Sequence, residues 1–228
     1  MDTSSIRPNK PKALYLAKRQ LSELVCDAVN LEGILYTLPE IQTLLDGITV
    51  GGHKLSDEKI TLNQAEAWRF LFRSIENNEF TLSKSFAIEL HAIAAKEESL
   101  TWGKFRDGQV TIAGTEYFPP LAVKLDDAWN TMLEQSKNYS DIYDKAIFIF
   151  LQMARNQFFY DVNKRMGRFM MNGLLLSHGY PVINLLAKKQ LEFHQLMLAF
   201  YLSNDMGPMT AFMKNCLDPR HIDIMLAC

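Results

Sequence analysis

The sequence is poor in features that would assign it to a specialised class. Its three cysteines, Cys26, Cys216 and Cys228, are too few and too scattered for a disulfide framework or a zinc site. They read as reduced thiols. There is no surplus of positive charge. A formal net charge of −2 excludes a general electrostatic grip on nucleic acid or on an anionic membrane. No window approaches the ~20 apolar residues of a membrane-spanning helix. Met1 to Lys18 is polar and lacks the apolar stretch of a secretory signal. A soluble cytoplasmic protein is the expectation.

What is present is an ordinary globular composition, 48% hydrophobic and 22% charged. A chain of 228 residues can bury a sizeable core without staples. Residues 1–12 hold two prolines and read as a loose arm. Helical apolar spacing runs from Pro11 to about Asn30, through Leu14, Leu21, Leu24, Val25 and Ala28. Thr37 caps a short helix opened by Pro39 and stopped by Gly47. Ser56–Ile75, Thr81–Ala95, Asp126–Gln135 and Asp141–Tyr160 follow as helices, the last strongly apolar. Phe169–Ser177 ends at Gly179 and Pro181, a glycine past the helix and a proline that cannot continue it. Ala187–Tyr201 and Met209–Asn215 complete the set. Between Trp102 and Pro120 the pattern changes. Gly103, Gly108 and Gly114 punctuate a strand-like run, Gln109-Val110-Thr111-Ile112-Ala113, which reads as a small β-hairpin. The fold class is therefore mainly α with one hairpin.

Chemistry concentrates between two apolar helices, in Gln157-Phe158-Phe159-Tyr160-Asp161-Val162-Asn163-Lys164-Arg165-Met166-Gly167-Arg168. A helix starting near Asn163 puts Arg165 and Arg168 on one face. Cations at a helix N-terminus oppose the macrodipole unless an anion is present. Free N–H groups plus guanidinium forks make a phosphate site. Asp161 is placed to hold a magnesium ion that bridges phosphates. A solvated loop is the competing reading of the same residues.

These twelve residues resemble the signature of the Fic family, His-Pro-Phe-x-(Asp/Glu)-(Gly/Ala)-Asn-(Gly/Lys)-Arg-x-x-Arg. The third-position Phe, the acid, the Asn, the Lys and both arginines match. The first, second and sixth positions do not. Met171-Asn172-Gly173-Leu174 with Gly179-Tyr180 is similar to the helix that follows the signature. Leu31-Glu32-Gly33 resembles the end of the family's inhibitory helix, (Ser/Thr)-x-x-x-Glu-(Gly/Asn), with Ala28 in the hydroxyl position. The similarity spans roughly residues 25–200, which gives an N-terminal region, 13–100, carrying the inhibitory helix, and a core, 101–228. The two are expected to form one compact unit. The resemblance implies a Fic-type fold that binds ATP and Mg2+ and transfers AMP to a Ser, Thr or Tyr hydroxyl of a protein. It places the metal on Asp161 and the phosphates on Asn163, Lys164, Arg165 and Arg168. Glu32 would restrain the site by pairing with Arg168. The hairpin would be the flap that docks a target strand through Gln109, Val110, Thr111 and Ile112. Whether the chain forms a homodimer is left open.

Gln157 stands where the family has its general base. A primary amide cannot take a proton from a hydroxyl at neutral pH, and losing a base commonly costs about 10²–10⁴ in rate. An inactive binding module is therefore one alternative. Phosphate transfer in the style of the Doc branch, which carries Lys at the position of Lys164, is another. Val162 is bulkier than the Gly or Ala expected there. No other histidine is an obvious substitute base. His53, His91, His178, His194 and His221 read as surface or satisfied core residues. Tyr160 reads as packing or as a self-modification target, and Met166, Met170 and Met171 as core filling.

Overall fold

The two most deeply buried helices, on either side of the 157–162 loop, pack against each other at the centre of the molecule. A computed structural model describes residues 6–226. In it, α7 (Ile142–Asn156) buries Ala146 to Ala154 on every side, and α8 (Asn163–Ser177) is buried almost throughout. A helix that is apolar all round belongs inside other helices. Gly167 allows the pair to meet closely, because a Cβ there would lie 2.8 Å from the Phe150 carbonyl oxygen.

The other helices form a shell. From the N-terminus come α1 (Lys10–Arg19), α2 (Leu21–Asn30), α3 (Leu38–Leu45), α4 (Leu55–Glu76) and α5 (Lys84–Ala94). α4 and α5 pack together and both lie on α8, while α2 lies on α4. Then α6 (Leu125–Ser136) covers α7. Downstream, α9 (Gln190–Ser203) and α10 (Gly207–Lys214) pair, and α10 touches α7. α11 (Pro219–Leu226), which the apolar spacing did not reveal, returns to α1. Buried side chains from Ile6 to Met225 join one hydrophobic cluster.

Local chemistry explains the boundaries. Thr37 and Glu40 form a reciprocal capping box at the start of α3. Asp141 caps α7 by accepting the Asp144 N–H at 2.9 Å. Gly179, at φ +82°, ends α8, and its carbonyl accepts the Asn9 N–H at 2.8 Å. The helix expected over Pro11–Asn30 is two helices, broken at Gln20 (φ −93°, ψ 8°). The helix expected to reach Tyr160 stops at Asn156, because Gln157 takes a left-handed conformation (φ 49°, ψ 62°). Of the expected N-terminal arm, residues 1–5 lie outside the described residues. Ile6 is buried and α1 already begins at Lys10.

The fold class needs one correction. The β-hairpin expected between Trp102 and Pro120 does not form, and no strand occurs among the described residues. The segment turns at Gly114 (φ +81°), but side chains rather than a backbone ladder link its two arms. Gln109 Nε2 donates to the Pro119 carbonyl at 3.0 Å. The Arg106 guanidinium donates to the carbonyls of Gly108 and Pro120. Pro119 and Pro120 have no N–H to give a ladder. The outgoing arm keeps a strand's alternation, with Val110 and Ile112 half-buried and Gln109, Thr111 and Ala113 exposed.

Candidate active site

The loop 157–162 joins the two central helices, and its own residues hold its shape. The Asn163 Oδ1 accepts the Phe159 N–H at 2.9 Å. Its Nδ2 donates to the Phe159 carbonyl at 2.8 Å and to Gln157 Oε1 at 3.0 Å. Gln157 Nε2 donates to the Ala154 carbonyl at 2.6 Å. Both ends of the Gln157 amide are thus engaged in closing the loop. The Asn163 side chain is likewise committed, which leaves its main-chain N–H to face a ligand. Val162 precedes α8 in the left-handed region (φ 67°, ψ 8°) and supplies no side-chain cap. The first N–H groups of α8 therefore open onto the pocket side with the helix dipole behind them.

Asp161 is exposed at the loop's rim. Its Oδ1 accepts the Val162 N–H at 2.6 Å, so one carboxylate oxygen is left for a cation. No cluster of three or more His, Cys, Asp or Glu side chains able to hold a metal occurs among the described residues. A lone carboxylate suits magnesium that arrives with its phosphate oxygens. Tyr160 donates its hydroxyl to Asp107 Oδ1 at 2.6 Å, which latches the loop to the flap segment.

The arginines are arranged differently from one another. Arg165, 4% exposed, makes a two-pronged contact with Glu98, in the turn after α5. Burial alone would lower its pKa, but Glu98 outweighs burial and raises it. Arg168 sits deeper and does not line the pocket. Its Nη2 lies 3.4 Å from Glu32 Oε1. Burial and the neighbouring Arg165 pull its pKa down to about 10, against the pull of Glu32 and Asp27. Glu32 Oε2 lies 3.3 Å from Lys164 Nζ. Burial would raise the Glu32 carboxyl, yet Lys164, Arg168 and Arg165 hold it below the usual carboxylate range. One carboxylate therefore spans two cations of the cluster.

A cavity of about 430 Å³ opens over this loop, within the range of small-molecule sites. Its floor is Asp161 to Arg165. Thr111 and Ile112 of the flap form one wall, Met197 and Tyr201 of α9 the other, and Glu32 closes one end. Of the proposed docking residues, Thr111 and Ile112 line the cavity, while Gln109 turns to Pro119.

Several participants gave no signal in the sequence. Glu98 and Arg165 are separated by 67 residues and their pairing follows no spacing rule. His194 lines the cavity from α9, hydrogen-bonded to the Leu31 backbone, and its Nε2 has no partner among the described residues. His91 is a buried, satisfied histidine. It stacks on Phe159 at 3.8 Å, accepts the Gly103 N–H at Nδ1, and meets the Asp161 carbonyl through Nε2 at 3.4 Å. Its pKa falls to about 4, chiefly through burial.

Residues 81–175, which include this loop and the flap segment, match the Fic/DOC family. They form a Fic/DOC domain. Over 221 residues the chain is 24% identical to the protein adenylyltransferase Fic of Drosophila mojavensis, covering 94% of the chain and 43% of that protein. The enzyme of the same name from Drosophila persimilis is 24% identical over 235 residues, covering 99% and 45%. The chain thus spans less than half the length of these curated relatives. The fold is similar to that of a Fic-domain-containing signalling protein from Bacteroides thetaiotaomicron, with a TM-score of 0.76 at 19% identity, covering 97% of this chain and 91% of the other. It is also similar to Fic-1 from C. elegans, with a TM-score of 0.72 at 17% identity, covering 99% and 64%. No helix among the described residues is long and apolar enough to cross a membrane. Cys26 and Cys216 are free and buried, and Cys228 lies outside the described residues.

Proposed function

We propose that this Fic/DOC chain binds ATP with magnesium over the 161–165 loop, is held back by Glu32, and belongs to the AMP-transferring branch of the family. The observation that carries this reading is the placing of Glu32 across Lys164 and Arg168, at the end of a cavity whose floor is an uncapped helix N-terminus. An anion is what such a floor attracts, and a carboxylate already occupies part of that role. A phosphate competing for the same cations must displace it. The names of the sequence relatives, protein adenylyltransferases, support the choice of AMP.

Asp161 would hold the magnesium ion, which neutralises phosphate charge when bound. In the transfer, the target's Ser, Thr or Tyr oxygen bonds to the α-phosphorus. The bond from that phosphorus to the bridging oxygen breaks and pyrophosphate leaves. The hydroxyl proton goes to solvent or to the leaving pyrophosphate, because Gln157 has no lone pair basic enough to take it. Positioning and electrostatic stabilisation carry the reaction, at a rate reduced by the missing base.

The second reading is a nucleotide-binding module without transfer. It is favoured by the Gln157 amide, whose two ends are committed to Ala154 and Asn163 rather than to a substrate. Incubation of the wild-type protein and Gln157→His with α-labelled and γ-labelled ATP and a cell lysate separates the readings. Transfer of the α-label by both proteins supports the first. Transfer by Gln157→His alone supports the module, and transfer of the γ-label shows phosphate transfer instead. Absence of ATP binding by calorimetry in wild type and Glu32→Gly alike overturns both.

A further inference from the structure

Arg106 is the most unusual buried charge in the protein. It is 2% exposed and, among the described residues, has no carboxylate partner. Its guanidinium is satisfied by main-chain carbonyls alone. Nε donates to Gln157 at 2.6 Å, Nη1 to Gly108 at 2.7 Å and Nη2 to Pro120 at 2.5 Å. Its own N–H donates to the Phe158 carbonyl at 3.0 Å. A buried arginine normally demands an acid, since an unpaired buried charge is expensive. Carbonyl dipoles from three segments meet that demand here, and each is fixed in direction by the planar fork.

The three segments are the ones a transfer reaction must bring together. Gly108 and Pro120 are the two ends of the flap. Gln157 is the loop position that would face the reacting hydroxyl, held in a left-handed conformation that costs a non-glycine residue about 1 kcal/mol or more. The flap has no backbone ladder of its own. Its position relative to residue 157 therefore rests on the Arg106 N–H bonded to Phe158 and on side chains. Tyr160 and Asp107 join loop and flap farther along, while the Arg106 guanidinium reaches residue 157 itself and both ends of the flap.

We propose that Arg106 is a positioning residue that locks the flap and the 157–158 peptide into one rigid unit, fixing where a target segment on the flap lies relative to the reacting loop. This rests on the transfer reading for its purpose but not for its geometry. Lysine retains the charge but cannot span three carbonyls, since a single ammonium replaces the fork.

The test uses the full chain carrying Arg106→Lys, alone and combined with Gln157→His. Hydrogen exchange is expected to quicken about tenfold or more in both 108–120 and 157–162, while the α7 and α8 interiors stay protected. Affinity for ATP with magnesium stays within about threefold, because the floor of the cavity is untouched. In the Gln157→His background the rate of α-label transfer falls about tenfold or more, with the KM for ATP unchanged. Faster exchange in only one of the two segments overturns the proposal, as does a loss of transfer expressed only through the KM for ATP. Should Arg106→Lys not fold, Arg106→Gln removes the buried charge and carries the same comparison. If Gln157→His transfers nothing at all, the transfer reading fails on its own, and the exchange experiment still decides the role of Arg106.

Discussion

The Glu32 carboxylate lies 3.3 Å from the Lys164 ammonium and, with its other oxygen, 3.4 Å from Arg168. A lysine at this position is thus drawn into the same ion pair that the family resemblance implied for the arginine alone. Removing the acid has two opposite effects. Arg168 is left buried and uncompensated, which costs roughly 3 kcal/mol when one partner of a buried pair is removed. Lys164, which lines the cavity, is released to an anionic ligand there, and the charge of Arg168 behind it is no longer cancelled. Glu32→Gln is therefore expected to lower the melting temperature of the free protein by about 6–12 °C, at ~2–4 °C per kcal/mol for a chain of this size. The same change should tighten ATP binding at least about tenfold. Calorimetry and thermal melts with and without nucleotide check both, and unchanged affinity would remove Glu32 from the restraining role.

Glu98 and Arg165 form the second buried pair, with the carboxylate meeting both prongs of the guanidinium. Arg165 is only 4% exposed, so an uncompensated charge there has little access to water. Glu98→Gln is expected to cost about 3–5 kcal/mol, and Arg165→Met a similar amount. The double variant should be far less damaging than the sum, with a coupling of about 2 kcal/mol or more from a double-mutant cycle in urea. Additive losses would show that Arg165 is held by something other than Glu98.

How much of this was readable beforehand differs by element. The helices around Leu14, Trp68 and Ile149 follow from apolar spacing, because each buries one face or all of its surface. The start of α8 at Asn163 could be read from the clustering of charge at one helix end. The flap could not, since its alternation predicts a strand but not a partner. Partnership was lost to Pro119, Pro120 and the reach of Arg106, none of which has a periodic signature. The pairs Glu32–Lys164 and Arg165–Glu98 join residues more than sixty positions apart, where spacing carries no information. His91 looked like any scattered histidine, because its role depends on a ring, a carbonyl and an N–H from three different segments.

Val162 tests whether the loop is strained where the family prefers a smaller residue. Its φ of 67° costs a β-branched residue about 1–2 kcal/mol. Its side chain is 3% exposed, so the packing it contributes is worth about 1.5–3 kcal/mol. Val162→Ala loses most of the packing and keeps a Cβ in the left-handed region. Val162→Gly loses slightly more packing and relieves the strain. Glycine is therefore expected to be the more stable of the two by about 1 kcal/mol, the reverse of the usual order. Urea midpoints decide this, and an alanine variant at least as stable as the glycine variant contradicts the strain.

His91 makes the stability of the loop depend on pH in a window that can be separated from that of Glu32. In the folded protein its imidazole stays neutral down to about pH 4, against an ordinary value of 6.5. The unfolded chain therefore binds a proton that the folded chain refuses. The stability involved is complete above pH 6.5 and is lost as the pH falls from 6.5 toward 4, amounting to about 2 kcal/mol by pH 5 and about 3 kcal/mol in full. Glu32 acts at lower pH. Its carboxyl is held below the ordinary 4.5, so its contribution is complete above 4.5 and is lost as the pH falls through its folded value. Urea unfolding between pH 7 and 5 thus reports the histidines, His91 together with His194 and His221, which burial also lowers, ahead of Glu32, and a His91 variant isolates its share. The variant His91→Phe, which retains a ring to stack on Phe159 but cannot titrate, should be less stable at pH 7, because the Gly103 N–H and the Asp161 carbonyl lose their partner. It should also lose about 2 kcal/mol less than wild type on going to pH 5. Parallel pH profiles for the two proteins would show that the imidazole takes up its proton near its ordinary pKa, and that it does not hold the Asp161 carbonyl in the way the geometry indicates.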